Sequence, residues 1–227
     1  EPMRVVSGPI GREKVHFEAP PGERVAEEMR EFLSWWKDGS QKLDGLLRAG
    51  VSHFYFVTVH PFEDGNGRLA RALTDMALAQ DEKLGTRYYS LSSQIMEERE
   101  AYYSILEKSS KNGGLDITDW LAWFLGCYQR ALERSDQTVG RVLMKSGFWQ
   151  RHGQTQLNER QRKIINRLLD AGQGNFQGGL TTRKYVSLAK VSRATAFREI
   201  SDLLEKKILM QTPAKGGRSV SYDLAWD

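Results

Sequence analysis

Cysteine is nearly missing from this chain. Among 227 residues there is one, Cys127. A single thiol excludes an internal disulfide framework and points to a reducing, cytoplasmic compartment. Cys127 stands in a run rich in Trp, Phe and Leu and reads as a core residue. Long apolar runs are missing too. None approaches twenty residues, and no signal-peptide pattern is present, so no membrane partner is expected. Strong charge of one sign is lacking. The net charge of +4 permits phosphate or nucleic-acid ligands without demanding them. There are no internal repeats and no low-complexity tracts. A methionine at position 1 is also absent, so the natural protein is expected to have an N-terminal part before Glu1. What remains is an ordinary composition, 40% hydrophobic and 27% charged, long enough for one large or two modest domains.

Against that plain background one stretch stands out, His60 to Arg71, HPFEDGNGRLAR. An apolar run from His53 to Val59 leads in, and an Ala/Leu-rich run from Leu69 to Ala79 leads out. Pro61 ends the first helix and Asp64-Gly65-Asn66-Gly67 forces a turn, so the segment reads helix–loop–helix. Gly65 and Gly67 free the backbone to point successive N–H groups inward, as an anion nest at a helix N-terminus. Arg68 and Arg71 are three apart and share a face, and two guanidiniums beside a nest suit a polyphosphate. Asp64 is a hard oxygen ligand of the kind Mg²⁺ takes alongside phosphates. His60 is the one side chain here that can act as a neutral base near pH 7. Together these are the parts for moving a phosphorus group from a nucleotide to a hydroxyl.

The stretch resembles the signature of the Fic family (Fic/Doc, or Fido, fold), His-Pro-Phe-x-Asp/Glu-Gly-Asn-Gly-Arg-x-x-Arg. Every fixed position is matched. The resemblance implies a protein adenylyltransferase, which moves AMP from the co-substrate ATP to a Ser, Thr or Tyr hydroxyl of a protein. Carried over, His60 is the base on the target hydroxyl and Asp64 holds Mg²⁺. Gly65, Asn66 and Gly67 form the anion hole, and Arg68 and Arg71 hold the terminal phosphates. Phe62 anchors the loop in the core, while Glu63 falls at the variable position. Related proteins also remove AMP with the same loop, and the nest reads phosphates rather than bases, so the donor stays open.

The rest of the chain supports a mainly α fold, a Fic-type helical core with a β-hairpin flap followed by a small winged-helix domain. Residues 1–150 are assigned to the first domain and 155–227 to the second. Two β-type runs within 3–19 read as a hairpin. The resemblance implies a flap that docks the target segment by strand-like pairing, through Val15, His16 and Phe17. Val25 to Lys37 is amphipathic at helical spacing. His53 reads as a packed helix residue. A helix is expected over Tyr88 to Glu107, carrying Tyr102 and Tyr103, one of which the resemblance places over the adenine. Thr118 or Asp116 caps a further apolar helix.

Beyond Gln154, helices are expected from Leu157 to Ala171, from a Thr181 cap, and from a Ser192 cap to Lys206. Strands are expected over Ile208 to Thr212 and Ser219 to Leu224. This pattern resembles a winged helix-turn-helix. Arg193 and Arg198 on its exposed helix, with Lys215 and Arg218 in its wing, form a basic face suited to DNA, or else merely solvated beside a homodimer or protein-docking contact. The alternative to an enzyme is therefore a DNA-binding regulator whose Fic-like part only senses a nucleotide. Many Fic proteins are held off by a helix with a Ser/Thr-x-x-x-Glu-Gly/Asn motif. No full match occurs here, since Ser34 to Gly39 and Ser40 to Gly45 carry Asp38 and Asp44 in place of Glu. The resemblance thus places that brake upstream or on a partner.

Overall fold

Asp44 starts the helix on which the site is built. Its carboxylate accepts the backbone N–H of Leu46 at 3.0 Å and of Leu47 at 3.4 Å, occupying two of the amides every helix start leaves open. The helix that follows, Gly45–Val59, is apolar on most of its circumference and is buried accordingly. This is a computed structural model; it describes residues 4–7, 9, 12, 14–111, 116–212 and 220–226, with 4–7 and 14–18 described by their backbone alone.

In chain order the elements are β1 (Arg4–Ser7), β2 (Lys14–Glu18), α1 (Gly22–Ser34), α2 (Gly45–Val59), α3 (Asn66–Glu82), α4 (Leu91–Glu97), α5 (Arg99–Lys111), α6 (Thr118–Arg151), α7 (Glu159–Ala171), α8 (Thr182–Ala189), α9 (Arg193–Glu205), β3 (Leu209–Thr212) and β4 (Ser221–Leu224). The chain is mainly helical, with two small antiparallel sheets, β1 with β2 and β3 with β4. Among the described residues, no helix is long and apolar enough to cross a membrane.

Two compact units make up the chain, residues 1–135 and 136–227. In the first, α2 and α3 pack side by side and β2 runs along α5. Phe32 of α1, Phe54 and Phe56 of α2, Leu78 of α3, Ile95 of α4, Leu106 of α5 and Trp120 and Phe124 of α6 share one core. Each such side chain contributes roughly 1.5–3 kcal/mol by leaving water. Helix α2 lies so close to α6 that a Cβ at Gly50 would come within 2.9 Å of the Phe124 ring. The Gly50 carbonyl there accepts the Trp120 indole N–H at 2.8 Å. Cys127 is fully buried in the same core, and burial pushes its thiol pKa up to about 12.

The second unit encloses its own core of Phe148, Ile164, Ile165, Leu168, Leu180, Tyr185, Ile200, Leu203 and Leu224. The end of α6 with α7, α8 and α9 surrounds it together with β3–β4, and Leu180 adds a single bridge to Tyr222. Thr181 and Ser192 cap α8 and α9 through Lys184 N–H and Thr195 N–H, as their sequence positions suggested.

Several boundaries depart from the sequence reading. The first unit stops at Ser135 rather than 150, because Phe148 faces the second core. The helix expected over Tyr88 to Glu107 is two. Ser90 caps α4 through the Ser93 N–H at 3.1 Å, while the Tyr88 carbonyl accepts the Ser135 hydroxyl at 2.8 Å instead of starting a helix. At Glu98 the turn breaks, and that carboxylate is held by Arg130, at 2.6 and 2.5 Å, and by Gln94 at 2.7 Å. The helix expected to Lys37 ends at Ser34 and continues as a wider turn over Trp35–Gly39.

Candidate functional site

The site begins where α2 ends. His60 caps the helix in the left-handed conformation, with φ at 50°, and its N–H still reaches the Phe56 carbonyl at 3.1 Å. A left-handed residue with a Cβ costs about 1 kcal/mol, so the surrounding loop holds it there. The backbone turn brings Nδ1 within 3.3 Å of the Val57 carbonyl, which can only accept. Nδ1 therefore carries the proton in the neutral ring, and Nε2 keeps its lone pair. Half-burial lowers the pKa of His60 from the ordinary 6.5, partly offset by the bond to Val57. The ring is thus neutral at pH 7, in the tautomer a base on Nε2 requires.

The loop behind it is pinned by Asn66. This side chain is 2% exposed and fits between the two backbone groups of Phe62. Its Oδ1 accepts the Phe62 N–H at 3.1 Å and its Nδ2 donates to the Phe62 carbonyl at 2.5 Å. The Asn66 side chain is thereby spent on the loop, and what the nest keeps from this residue is its backbone N–H. Gly65 precedes it with φ at 89°, a value that strains any other residue. Helix α3 starts at Asn66, so the amides of Asn66, Gly67 and Arg68 have no carbonyl a turn earlier to bond, and they aim the positive end of α3 into the loop.

Val57, His60, Glu63, Asp64, Gly65, Asn66, Gly67, Arg71, Tyr102 and Tyr103 line one cavity of about 250 Å³. Arg71 has no hydrogen bond or ion pair among the described residues, so its guanidinium faces that space free. Arg68 lies outside it. Its Nη2 reaches Asp64 Oδ2 at 3.0 Å, and both side chains are largely exposed, 73% and 91%. The other Asp64 oxygen accepts the Gly65 N–H at 2.6 Å. Among the described residues, no three His, Cys, Asp or Glu side chains gather closely enough to cage a metal.

Beneath the cavity lies a second histidine. His53 is fully buried, with Nδ1 at 3.0 Å from the Thr74 hydroxyl and Nε2 at 3.0 Å from the Tyr102 hydroxyl. Thr74 donates to the Ala70 carbonyl at 2.8 Å, so His53 Nδ1 must be the donor to Thr74 and Nε2 accepts from Tyr102. Burial, with a smaller push from Arg71, lowers the His53 pKa to about 3. The ring is packed and neutral, as the sequence suggested.

Other expected site residues fall variously. Phe62 is 49% exposed and does not anchor the core; it only tilts against Phe56 at 6.4 Å, because Asn66 already fixes its backbone. Tyr102 is 5% exposed with its hydroxyl on His53, whereas Tyr103 is half-buried beside Arg99, whose guanidinium lies 5.5 Å from the ring. Val15, His16 and Phe17 lie in β2, their side chains outside the described residues. Arg193 and Arg198 are exposed on α9, while Lys215 and Arg218 lie outside the described residues. Sequence reasoning missed the Val57 carbonyl. A signal for it existed, since Pro61 ends α2 and leaves last-turn carbonyls open. It also passed over Glu63, which lines the cavity.

Residues 3–78 match the family model described as Fic/DOC family. A curated relative, Protein adenylyltransferase fic-1 of Caenorhabditis elegans, is 40% identical over 57 residues, 25% of this chain and 11% of that protein. The Uridine 5'-monophosphate transferase of Xanthomonas campestris pv. campestris (strain 8004) is 37% identical over 65 residues, 26% of this chain and 12% of that protein. The chain thus spans about a tenth of the length of each of these relatives. In fold, it is similar to the crystal structure of a Fic family protein from Desulfovibrio desulfuricans G20, with a TM-score of 0.50 and 23% identity, over 95% of this chain and 59% of that one. The matched residues run from the hairpin through the His60 loop into α3, and over this third of its length the chain is similar to the Fic/DOC family.

Proposed function

We propose that the chain transfers AMP from ATP to a hydroxyl side chain of a protein target. The observation that carries the reading is the His60 ring, held neutral with Nε2 unprotonated beside the open amides of α3 and the free Arg71. The target hydroxyl gives its proton to His60 Nε2 as its oxygen bonds to the α-phosphorus. The bond from that phosphorus to the bridging oxygen breaks, and pyrophosphate leaves. Arg71 and the open amides of Asn66, Gly67 and Arg68 face the charge that gathers on the departing group.

Asp64 fits a Mg²⁺ ion of the kind such donors bring. It is one exposed carboxylate next to a phosphate-sized space, and Mg²⁺ keeps waters and phosphate oxygens for its other positions. When bound, the ion would neutralise phosphate charge. With its carboxylate on the ion, Asp64 would no longer hold Arg68, and that guanidinium would be able to reach the same phosphates. Tyr103, half-buried on the cavity wall, is the better of the two tyrosines to take a base against its ring.

Intact mass spectrometry of the chain and of candidate proteins, after incubation with ATP or UTP and Mg²⁺, tests this. The reading expects one AMP moiety per modified protein, lost in His60→Ala. A UMP moiety from UTP alone would overturn the choice of donor. No adduct from either nucleotide would overturn the reaction.

A further inference from the structure

The charge of the molecule is unevenly divided. Residues 1–135 hold seventeen Lys and Arg against twenty-one Asp and Glu, whereas residues 136–227 hold sixteen against eight. Such asymmetry between parts of one chain marks a polyanion partner. The excess is concentrated further. From Ala171 to Arg198 no acidic residue occurs, while Arg183, Lys184, Lys190, Arg193 and Arg198 all do. Helix α8 and the first half of α9 lie in that window, joined through Lys190, which turns the chain with φ at 54°.

The next acidic groups are already occupied. Glu199 is 5% exposed and is held by Arg160, by the Tyr185 hydroxyl at 2.8 Å and by Asn158 at 3.1 Å. Asp202 accepts from Lys206 at 2.7 Å and from Gln161 at 2.6 Å. Lys184 is spent as well, donating to the Gln177 and Gly179 carbonyls that close the glycine-rich loop. Arg183, Lys190, Arg193 and Arg198 are exposed and have no ion pair among the described residues. Arg183 and Arg193 line a cleft of about 830 Å³ with Thr181, Thr182 and Ser187, a set of donors suited to phosphate oxygens.

The geometry points to binding of duplex DNA on this face, with α9 entering the major groove. Next to the cations α9 exposes Ala194 and Phe197, the latter 65% exposed. Apolar groups among guanidiniums meet thymine methyls in the major groove of B-DNA, which admits a helix, whereas the A-form RNA groove is too narrow. An acidic protein would satisfy the cations but leaves an isolated exposed ring without a reason.

Fluorescence anisotropy of the whole chain with a short mixed-sequence duplex, at 50 and 200 mM salt, tests the assignment. Four neutralised phosphates predict a fall in affinity of roughly a hundredfold across that range. Replacing Arg183, Lys190, Arg193 and Arg198 by Ala flattens the salt dependence, whereas Arg183→Lys, Arg193→Lys and Arg198→Lys together retain it. That second variant separates lost contact from lost folding. His60→Ala leaves binding unchanged, which keeps this result independent of the transfer reaction. Three results would each overturn the proposal. They are no binding at 50 mM salt, equal binding after the four Ala changes, and competition by polyglutamate as strong, per charge, as by duplex.

Discussion

Two histidines lie two turns apart on α2, and burial depresses the pKa of both. Around His53 the helix is enclosed by α3, α5 and α6, and both ring nitrogens are bonded to hydroxyls. Around His60 the helix has just ended, one nitrogen is held by a carbonyl and the other is left open to a cavity. The ring chemistry is the same. The number of nitrogens the fold uses up is what divides an imidazole wholly committed to packing from one with a nitrogen left open.

The largest way to break that comparison is His60→Ala. If the proposed reaction holds, it should lower transfer by roughly 10²–10⁴-fold, since in that reaction it removes only the group that takes the proton. Thermal melting should stay close to that of the parent. His53→Ala should do the reverse in kind. It leaves a cavity and orphans the Thr74 and Tyr102 hydroxyls, for a loss on the order of 3 kcal/mol in urea unfolding. Activity per folded molecule should fall far less than in His60→Ala.

The pH dependence sharpens the same contrast. With a folded pKa near 3 against an ordinary 6.5, His53 is protonated in the unfolded chain first. Its contribution is therefore complete above pH 6.5 and lost as pH falls from there toward about 3, by up to about 1.4 kcal/mol per pH unit. Urea midpoints between pH 7.5 and 5 should show this slope in the parent and less of it in His53→Ala. For His60 the readout is rate. The acid limb of kcat/KM should have its midpoint below 6.5, because burial favours the neutral ring. A midpoint above 6.5 would mean that a carboxylate governs the ring instead.

A smaller effect tests the pin. Asn66→Ala strips the Phe62 N–H and carbonyl of their shared partner, which should cost about 1–3 kcal/mol of stability and slow transfer without changing the pH profile. Smallest is the strain at position 60. His60→Gly should be more stable than His60→Ala by about 1 kcal/mol in calorimetry, since glycine alone adopts φ of 50° without cost.

Much of this was legible in the residues. The helix–loop–helix around 60–71, the caps at Thr181 and Ser192, and the burial of Cys127 and His53 all follow from local chemistry: turn formers, hydroxyls at helix starts and apolar context. What escaped was set by contacts distant in sequence. Nothing near Glu98 says that Arg130, thirty-two residues on, will hold its carboxylate and help divide a helix. Nor does Phe62 announce its exposure, because the residue that frees it from anchoring is Asn66, which the resemblance placed in the anion hole with no word on where its side chain goes. The joint between units was misplaced because Phe148 is indistinguishable, by type and spacing, from the aromatic residues earlier on the same helix.

Asn66 followed by Gly67 also bears on chemical ageing. In an open chain an Asn-Gly pair is where a backbone nitrogen most readily attacks the side-chain amide, releasing ammonia and leaving an aspartate or isoaspartate. Here both ends of that amide are clasped by one residue, and the following nitrogen is fixed in the first turn of a helix. The reaction needs the side chain to swing free. It therefore proceeds only while the loop is open, and each event replaces the donor to Phe62 with a carboxylate that repels the same carbonyl. The loop's lifetime is tied to how seldom it opens, so the residue that shapes the pocket also records, irreversibly, how often that shape has been lost.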